Sequence, residues 1–485
     1  MNLRFKLIFR TFEILLVHQC NAMISKRIQV MFLLISLGII ITSVVYAFVF
    51  EPKTQSVGQT ILSSHIKAFI SYRSNTGTNL VNSPKIRQWS GASWSSQEEE
   101  LSSSGNNIRW VRLAFCPIGL RYTEKIVVTL SSDAFLDAYM WDGSSWIVTS
   151  NIGLVNTAAD TYQSFDLAYE STSGKAMLVY AVSSSNASRD LAYKIWDGTN
   201  WSAEMYIDDT GHSSTANYRW VELESNPVNG SDEIALIGVD QTNGHSNGWI
   251  WNGTLWGNFQ ELENSLASVR AYKCIGLAYG QISGKAMFTW AYNTYVQSRE
   301  WNGTNWESEL PAINMGTSNV RMVPLKADPA SNQLVAITID GSGNLNSILW
   351  NGSAWGAPTI HDTGLNNPGT RSADFDWEPS GSKGLLVWST AQDSVSYKMF
   401  TAPSSWSGEA TVSNPGGHLW IQLRGNPKNV NGDVRIMGAT LNSNRNLYGM
   451  RWNGTSLVFE STAFTSDTTL TSYECFDMAF QRARG

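Results

Sequence analysis

Short runs in which hydrophobic and polar residues alternate recur along most of the chain. They are separated by Gly, Asn, Asp and Ser, which is the pattern of β-strands joined by tight turns. One complete set of four such runs covers residues 219–226, 232–239, 247–251 and 254–261. We therefore predict a four-stranded sheet as the building unit.

A hexapeptide punctuates these runs: an aromatic residue, usually Asp or Asn, then Gly, Ser or Thr, any residue and Trp. Approximate copies begin at Trp89, Trp141, Trp196, Trp251, Trp301, Trp350, Phe400 and Trp452. Their spacing of 49 to 55 residues matches one four-stranded blade of a β-propeller. Asp-Gly or Asn-Gly between strands also predicts a type I′ hairpin turn, across which the flanking aromatic rings should pack.

The innermost strands of the blades alternate between two types. The A type reads SFDLAY, CIGLAY and SADFDW, and the B type reads RWVRLAF, RWVELES, RMVPLKA and LWIQLRG. The first hexapeptide has no inner strand before it, whereas CFDMAF, near the end of the chain, is an unused A-type strand. The fold class predicted is thus all-β, an eight-bladed propeller over residues 62–485 that the C-terminal strand closes.

Residues 31–50 carry no charge and follow Lys26 and Arg27. A helix of this length can span a bilayer, and the basic pair would leave the rest of the chain outside the cytoplasm. Cleavage near Ala47 would instead make this segment a signal peptide, and Met23 is an alternative start to Met1. We expect a targeting segment over 1–50, a linker over 51–61, and an extracellular or cell-surface propeller that is either membrane-anchored or secreted.

The composition narrows the classes of ligand and cofactor that the protein could bind. The formal net charge of -6 over 485 residues offers no basic face for nucleic acid. The four cysteines are far apart and the histidines are scattered, so we predict no metal site, and we expect Cys116, Cys274 and Cys475 to be buried thiols. Quinone-dependent dehydrogenase propellers carry a longer Trp motif and commonly a Cys-Cys pair, which the sequence lacks, and no cofactor is predicted.

The candidate ligand-binding residues come from the inner strands. A polar position recurs near the expected axis, at Arg112, Asp166, Glu222, Asp374 and Asp477. Three arginines begin B-type strands at the expected rim: Arg109, Arg219 and Arg321. Both sets have two interpretations, a ligand site at the channel mouth or hydrogen bonds and ion pairs between blades. No catalytic residue is assigned.

The W-[DN]-G-[TS]-x-W hairpins resemble those of lectin-type propellers, such as the fucose-binding and tectonin-like proteins. The resemblance implies a propeller and sugar binding in the clefts between blades. We expect a non-enzymatic, surface-exposed binding or adhesion protein whose partner is a carbohydrate or a cell-surface protein. The alternatives are a carbohydrate-active lyase or hydrolase with carboxylates near the axis, and a structural envelope protein without a specific ligand.

Overall fold

A computed structural model describes residues 67–75, 82–102, 106–156, 160–182, 186, 189–209, 216–266, 271–365, 367–390, 393–414, 416–428, 434–468 and 471–481. The predicted targeting helix (31–50), its cleavage site and the linker (51–61) lie outside these residues. Within the described part of the chain, no helix is both long enough and apolar enough to cross a membrane.

The predicted eight four-stranded blades are present as eight antiparallel sheets, numbered here I to VIII along the chain. Blade I contains Phe476–Phe480, Ala68–Arg73, Pro84–Trp89 and Glu99–Glu100. Blade II contains Ile108–Phe115, Lys125–Ser131, Phe135–Trp141 and Trp146–Leu154, with a short 3-10 helix at Gly119–Arg121. Blade III contains Phe165–Tyr169, Ala176–Ala181, Leu191–Trp196 and Met205–Ile207. Blade IV contains Tyr218–Ser225, Ile234–Asp240, His245–Trp251 and Trp256–Glu263.

The second half of the ring repeats this arrangement with two irregular blades. Blade V contains Ile275–Tyr279, Ala286–Tyr292, Tyr295–Trp301 and Ile313–Asn314. Blade VI contains Val320–Met322, Leu325–Ala327, Leu334–Asp340, Leu345–Trp350 and Thr359–Asp362. Blade VII contains Ala373–Trp377, Lys383–Ser389, Ser394–Thr401, Ser405–Trp406 and Ala410–Ser413. Blade VIII contains His418–Gly425, Ile436–Asn442, Leu447–Trp452 and Leu457–Phe459.

The C-terminal strand closes the ring as predicted. Phe476–Phe480 pairs antiparallel with Ala68–Arg73, and the register places Ala68 opposite Phe480 and Tyr72 opposite Phe476. The backbone amide of Arg73 adds a hydrogen bond to the carbonyl of Cys475 at 2.9 Å. Strands that are far apart in the sequence therefore share one sheet, and Ala68–Arg73 is paired on both of its sides.

The hexapeptides form the predicted hairpins, but their turn type differs from the prediction. The glycine alone takes a positive φ, for example +108° at Gly143 and +98° at Gly352. A type I′ turn would require positive φ at the preceding residue too. That residue instead uses its side chain, since Asn351 Oδ1 accepts the backbone amides of Ser353 and Ala354, both at 2.9 Å. This side-chain acceptor stabilises a hairpin turn that differs from the predicted type I′ turn.

Where a hexapeptide has two aromatic residues, their rings pack together, and tryptophans of the repeat also join neighbouring blades. Ring centroids of the paired tryptophans lie 5.4–5.8 Å apart, for example 5.4 Å for Trp141 and Trp146. Trp251 of blade IV donates its indole N–H to Glu170 of blade III at 2.6 Å. Trp452 of blade VIII donates to Glu378 of blade VII at 2.9 Å. The tryptophans thus have the structural role that the repeat predicts.

The predicted buried thiols are also present. Cys116, Cys274 and Cys475 are free and buried. Burial raises the pKa of the Cys274 and Cys475 thiols to about 12, so these groups are protonated hydrophobic side chains.

Candidate functional site

At three of the four junctions between an A-type blade and the B-type blade that follows it, a polar residue near the axis connects the two blades. A carboxylate oxygen of the A-type strand accepts the backbone amide of a leucine on the next inner strand. The pairs are Asp477 with Leu113 at 2.8 Å, Asp166 with Leu223 at 3.0 Å, and Asp374 with Leu423 at 2.8 Å. We call these three contacts the aspartate staples.

Basic side chains neutralise the staples and their neighbours. Arg112 lies 3.2 Å from Asp166, and Lys273 lies 3.1 Å from Glu222. Burial raises the pKa of Asp166, and the positive charge of Arg112 opposes that shift. All five predicted axial residues therefore have partners within the ring. This arrangement holds the blades in register.

The three predicted rim arginines stack on tyrosines of the preceding blade. Arg109 lies 5.3 Å from the ring centre of Tyr473 and 2.7 Å from the Asp160 carboxylate. The corresponding ring distances for Arg219 on Tyr162 and Arg321 on Tyr272 are 4.4 and 4.5 Å. The sequence contains a signal for these pairs, because each tyrosine lies three residues before the first residue of an A-type inner strand. In the fourth pair of blades, Thr370 and Leu419 replace Tyr and Arg.

A cleft that the sequence did not reveal lies on the side of blade I that faces blade II. Its volume is about 370 Å³, and it is lined by Phe69, Ile86, Gln88, Ser90, Ser93, Trp94, Ser95, Gln97 and Glu99. We call it the I/II cleft. The Trp146 indole of blade II donates to Glu99 at 2.7 Å, which joins the two blades beside the cleft. Within the described residues, the side-chain amides of Gln88 and Gln97 have no hydrogen-bond partner in the protein.

A lysine lies buried next to this cleft. Lys125 is 5% exposed, and its Nζ lies 4.5 to 5.9 Å from the ring centres of Phe69, Phe115, Trp141 and Trp146. Burial lowers the pKa of Lys125 to about 8, although Glu99 acts in the opposite direction. Among the described carboxylates, none lies within ion-pair distance of Lys125, so the aromatic faces are its principal counterpart.

One carboxylate cluster is a candidate for cation binding. Oxygens of Asp190, Asp208 and Asp209 lie within 4.8 Å of one another. The two Asp190 oxygens already accept the backbone amides of Asp209 at 3.0 Å and Ala216 at 3.2 Å. Burial raises the pKa of Asp190, which these two hydrogen bonds oppose. The Asp190 carboxylate is thus already engaged in hydrogen bonds to the backbone amides of Asp209 and Ala216.

Comparison with known proteins gives a structural likeness only. No protein-family model matches the chain, and no curated protein matches it. The BP39L lectin of Burkholderia pseudomallei is similar with a TM-score of 0.51 at 11% identity, over 73% of this chain and 98% of the lectin. The Aleuria aurantia lectin, in a complex with Fucα1-6GlcNAc, has a TM-score of 0.34 at 11% identity, covering 62% and 96%. The NanB sialidase of Streptococcus pneumoniae has a TM-score of 0.35 at 12% identity, covering 84% and 89%. The likeness to the BP39L lectin agrees with the β-propeller fold.

Proposed function

We propose that the protein binds carbohydrate without transforming it, and that the I/II cleft is its binding site. The observation that carries the proposal is the composition of this cleft, which combines aromatic surface with unpaired side-chain amides. The likeness of the fold to lectin propellers agrees with the proposal.

The cleft suits a sugar ring in size and chemistry. Its volume of about 370 Å³ falls in the range of small-molecule sites. Phe69 and Trp94 offer apolar surface for the C–H face of a pyranose, while Gln88, Gln97 and Glu99 offer donors and acceptors for its hydroxyls. Glu99 is oriented by Trp146, so one acceptor is held in place before a ligand arrives.

The axial and rim residues remain predicted ligand groups, but their geometry favours the structural interpretation. Asp166 and Asp374 each accept an inter-blade amide, and Arg112 and Arg371 lie beside them. A hydrolase or lyase needs carboxylates that face the substrate. We would measure glycan binding by Asp166→Ala and Asp374→Ala variants that remain folded. If these variants bind the same glycan and release it chemically unchanged, the binding site lies outside the axis.

A glycan array probed with the full chain tests the proposal. We expect retained glycans with the native protein, and a loss of at least tenfold in affinity when Gln88→Ala and Gln97→Ala are combined. Gln260→Ala is the matched control, because Gln260 lies on the fourth strand of blade IV, away from the cleft. Equal binding by the double variant would contradict the site. Turnover of a bound glycan would identify the enzyme alternative, and an empty array would favour a structural envelope protein.

Export is the second part of the proposal, and it depends on residues 31–50 alone. A bilayer-spanning or cleaved segment there would place the propeller outside the cytoplasm. Fractionation of the source cells with an antibody against the propeller, with N-terminal sequencing of the product, would separate an anchored chain from one cleaved near Ala47. Recovery of the uncleaved chain in the cytoplasm would contradict the proposal. A cell-surface protein remains the alternative partner.

A further inference from the structure

We infer that the I/II cleft selects an acidic sugar, whose carboxylate is recognised by Lys125. This inference rests on the proposed function and names its ligand class. It starts from a side chain whose position the fold does not explain.

The register of the sheets shows that Lys125 occupies a core position. Lys125 pairs with Trp141, the first aromatic residue of its hexapeptide. The residues that pair with the equivalent tryptophan in the other B-type blades are Ile234, Leu334 and Ile436. All three are aliphatic and almost completely buried. An aliphatic residue therefore meets the structural need at this position, and the ammonium of blade II serves another purpose.

The surroundings of Lys125 leave its charge available. The four aromatic rings attract the ammonium but supply no anion. The nearby charged groups are Glu99, which is exposed and already accepts the Trp146 N–H, and Lys67, which is exposed and repels the ammonium. An exposed carboxylate is hydrated and screened, so it compensates a buried cation poorly. A ligand carboxylate that enters the cleft would meet a desolvated, uncompensated cation.

Lys125 is separated from the cleft by a single ring. Phe69 lines the cleft, and its ring centre lies 4.6 Å from Lys125 Nζ. Glu99 and Trp146 border the same region. Recognition of the carboxylate requires a rotation about the terminal torsions of the lysine, which would carry its ammonium past the edge of Phe69 toward the floor of the cleft. Gln88 and Gln97 remain at the opening to bind the hydroxyls of the same sugar.

Matched ligands separate charge recognition from sugar recognition. We would measure, by calorimetry with the full chain, the methyl glycosides of glucose and galactose and of their uronic acids, which differ only at C6. We expect a uronide to bind at least roughly tenfold more tightly than its neutral partner, as one charge-assisted contact implies. Lys125→Met should abolish this preference and leave the affinity for the neutral glycoside within about twofold.

Two controls keep the result interpretable. Lys125→Met is expected to fold, because its side chain resembles those of Ile234, Leu334 and Ile436, and its thermal melt should match that of the native chain. Lys285→Met changes a partly exposed lysine in blade V and should leave the preference intact. Binding of the neutral glycosides without a uronide preference, or a preference that survives Lys125→Met, would overturn this inference and leave the proposed function standing. Binding of none of these ligands would overturn this inference, while retention of other glycans on the array would still uphold the proposed function.

Discussion

The junction between blades V and VI differs from the other three junctions that join an A-type blade to the B-type blade after it. At those three, an aspartate staple accepts a leucine amide of the next blade. At the V/VI junction the aspartate position is Gly276, and the next blade has Pro324 where the others have Arg112, Glu222 and Gln422. The inner strand of blade VI is interrupted between Met322 and Leu325.

The two differences at this junction are coupled by geometry. A Cβ on residue 276 would lie 2.2 Å from the carbonyl oxygen of Val323. The glycine thus permits a direct approach of the two backbones that an aspartate would prevent. The inner strands of an A-type blade and the next B-type blade are therefore joined in one of two ways, by an aspartate side chain or by close contact of the two backbones.

Loss of a staple should have the largest effect. Asp374→Ala removes a buried carboxylate, which leaves the Leu423 amide without its acceptor and removes a partner of Arg371. We expect a loss of about 3 kcal/mol in the free energy of unfolding, measured by chemical denaturation. Asp374→Asn retains an oxygen acceptor and should lose less. Equal stability of the alanine variant and the native chain would show that the staple does not hold the junction.

Gly276→Ala tests the V/VI junction, where the two backbones are in close contact. The added methyl group meets a backbone carbonyl that cannot move without shifting the inner strand of blade VI, so we expect a loss of about 2 kcal/mol. Gly257→Ala is the control, since the nearest atom to its Cβ would lie 3.7 Å away. If both variants melt at the native temperature, the V/VI junction has more space than its geometry indicates.

Acid should weaken two junctions that contain buried histidines, one between blades VI and VII and one between blades VII and VIII. His361 of blade VI packs its ring 4.4 Å from Trp406 of blade VII, and burial lowers its pKa to about 3. Burial also lowers the pKa of His418 to about 4. As the pH falls below about 6.5, the unfolded chain binds protons that the native histidines do not, and stability decreases until the native pKa is reached.

We expect His361 alone to cost about 1–2 kcal/mol between pH 6.5 and pH 5, measured by thermal or chemical unfolding across this range. His361→Asn should flatten the profile by this amount, although the variant is expected to be less stable at neutral pH. An unchanged slope in this variant would assign the acid sensitivity to other groups.

Much of the fold was predictable because one repeat carries it. The unused A-type strand from Cys475 predicted how the ring closes, and the alternation of inner strands predicted the pairing of blades. The turn type was not predictable from Asn-Gly alone, because the Asn side chain competes with the backbone for the same amides. The axial residues were found, but sequence could not distinguish a staple from a ligand group.

The I/II cleft was missed for a different reason. Gln97 and Glu99 belong to the irregular outer edge of blade I, where the fourth strand is only Glu99–Glu100 and no periodic signal exists. Lys125 belongs to no sequence motif that would single it out. An alignment of the second strands would have placed it with Ile234, Leu334 and Ile436 and so revealed a charge in the core.

The shared sheet of blade I also governs when the molecule can form during synthesis. The strand Ala68–Arg73 is synthesised before all the other described strands, while its partner Phe476–Phe480 is synthesised after all of them. Blades II to VIII can fold one after another during synthesis, but in blade I the strand Ala68–Arg73 lacks its inner partner until Phe476–Phe480 has been synthesised. A nascent chain stalled before residue 475 therefore exposes one side of the hydrophobic strand Ala68–Arg73, which can pair with a second chain until Phe476–Phe480 has been synthesised.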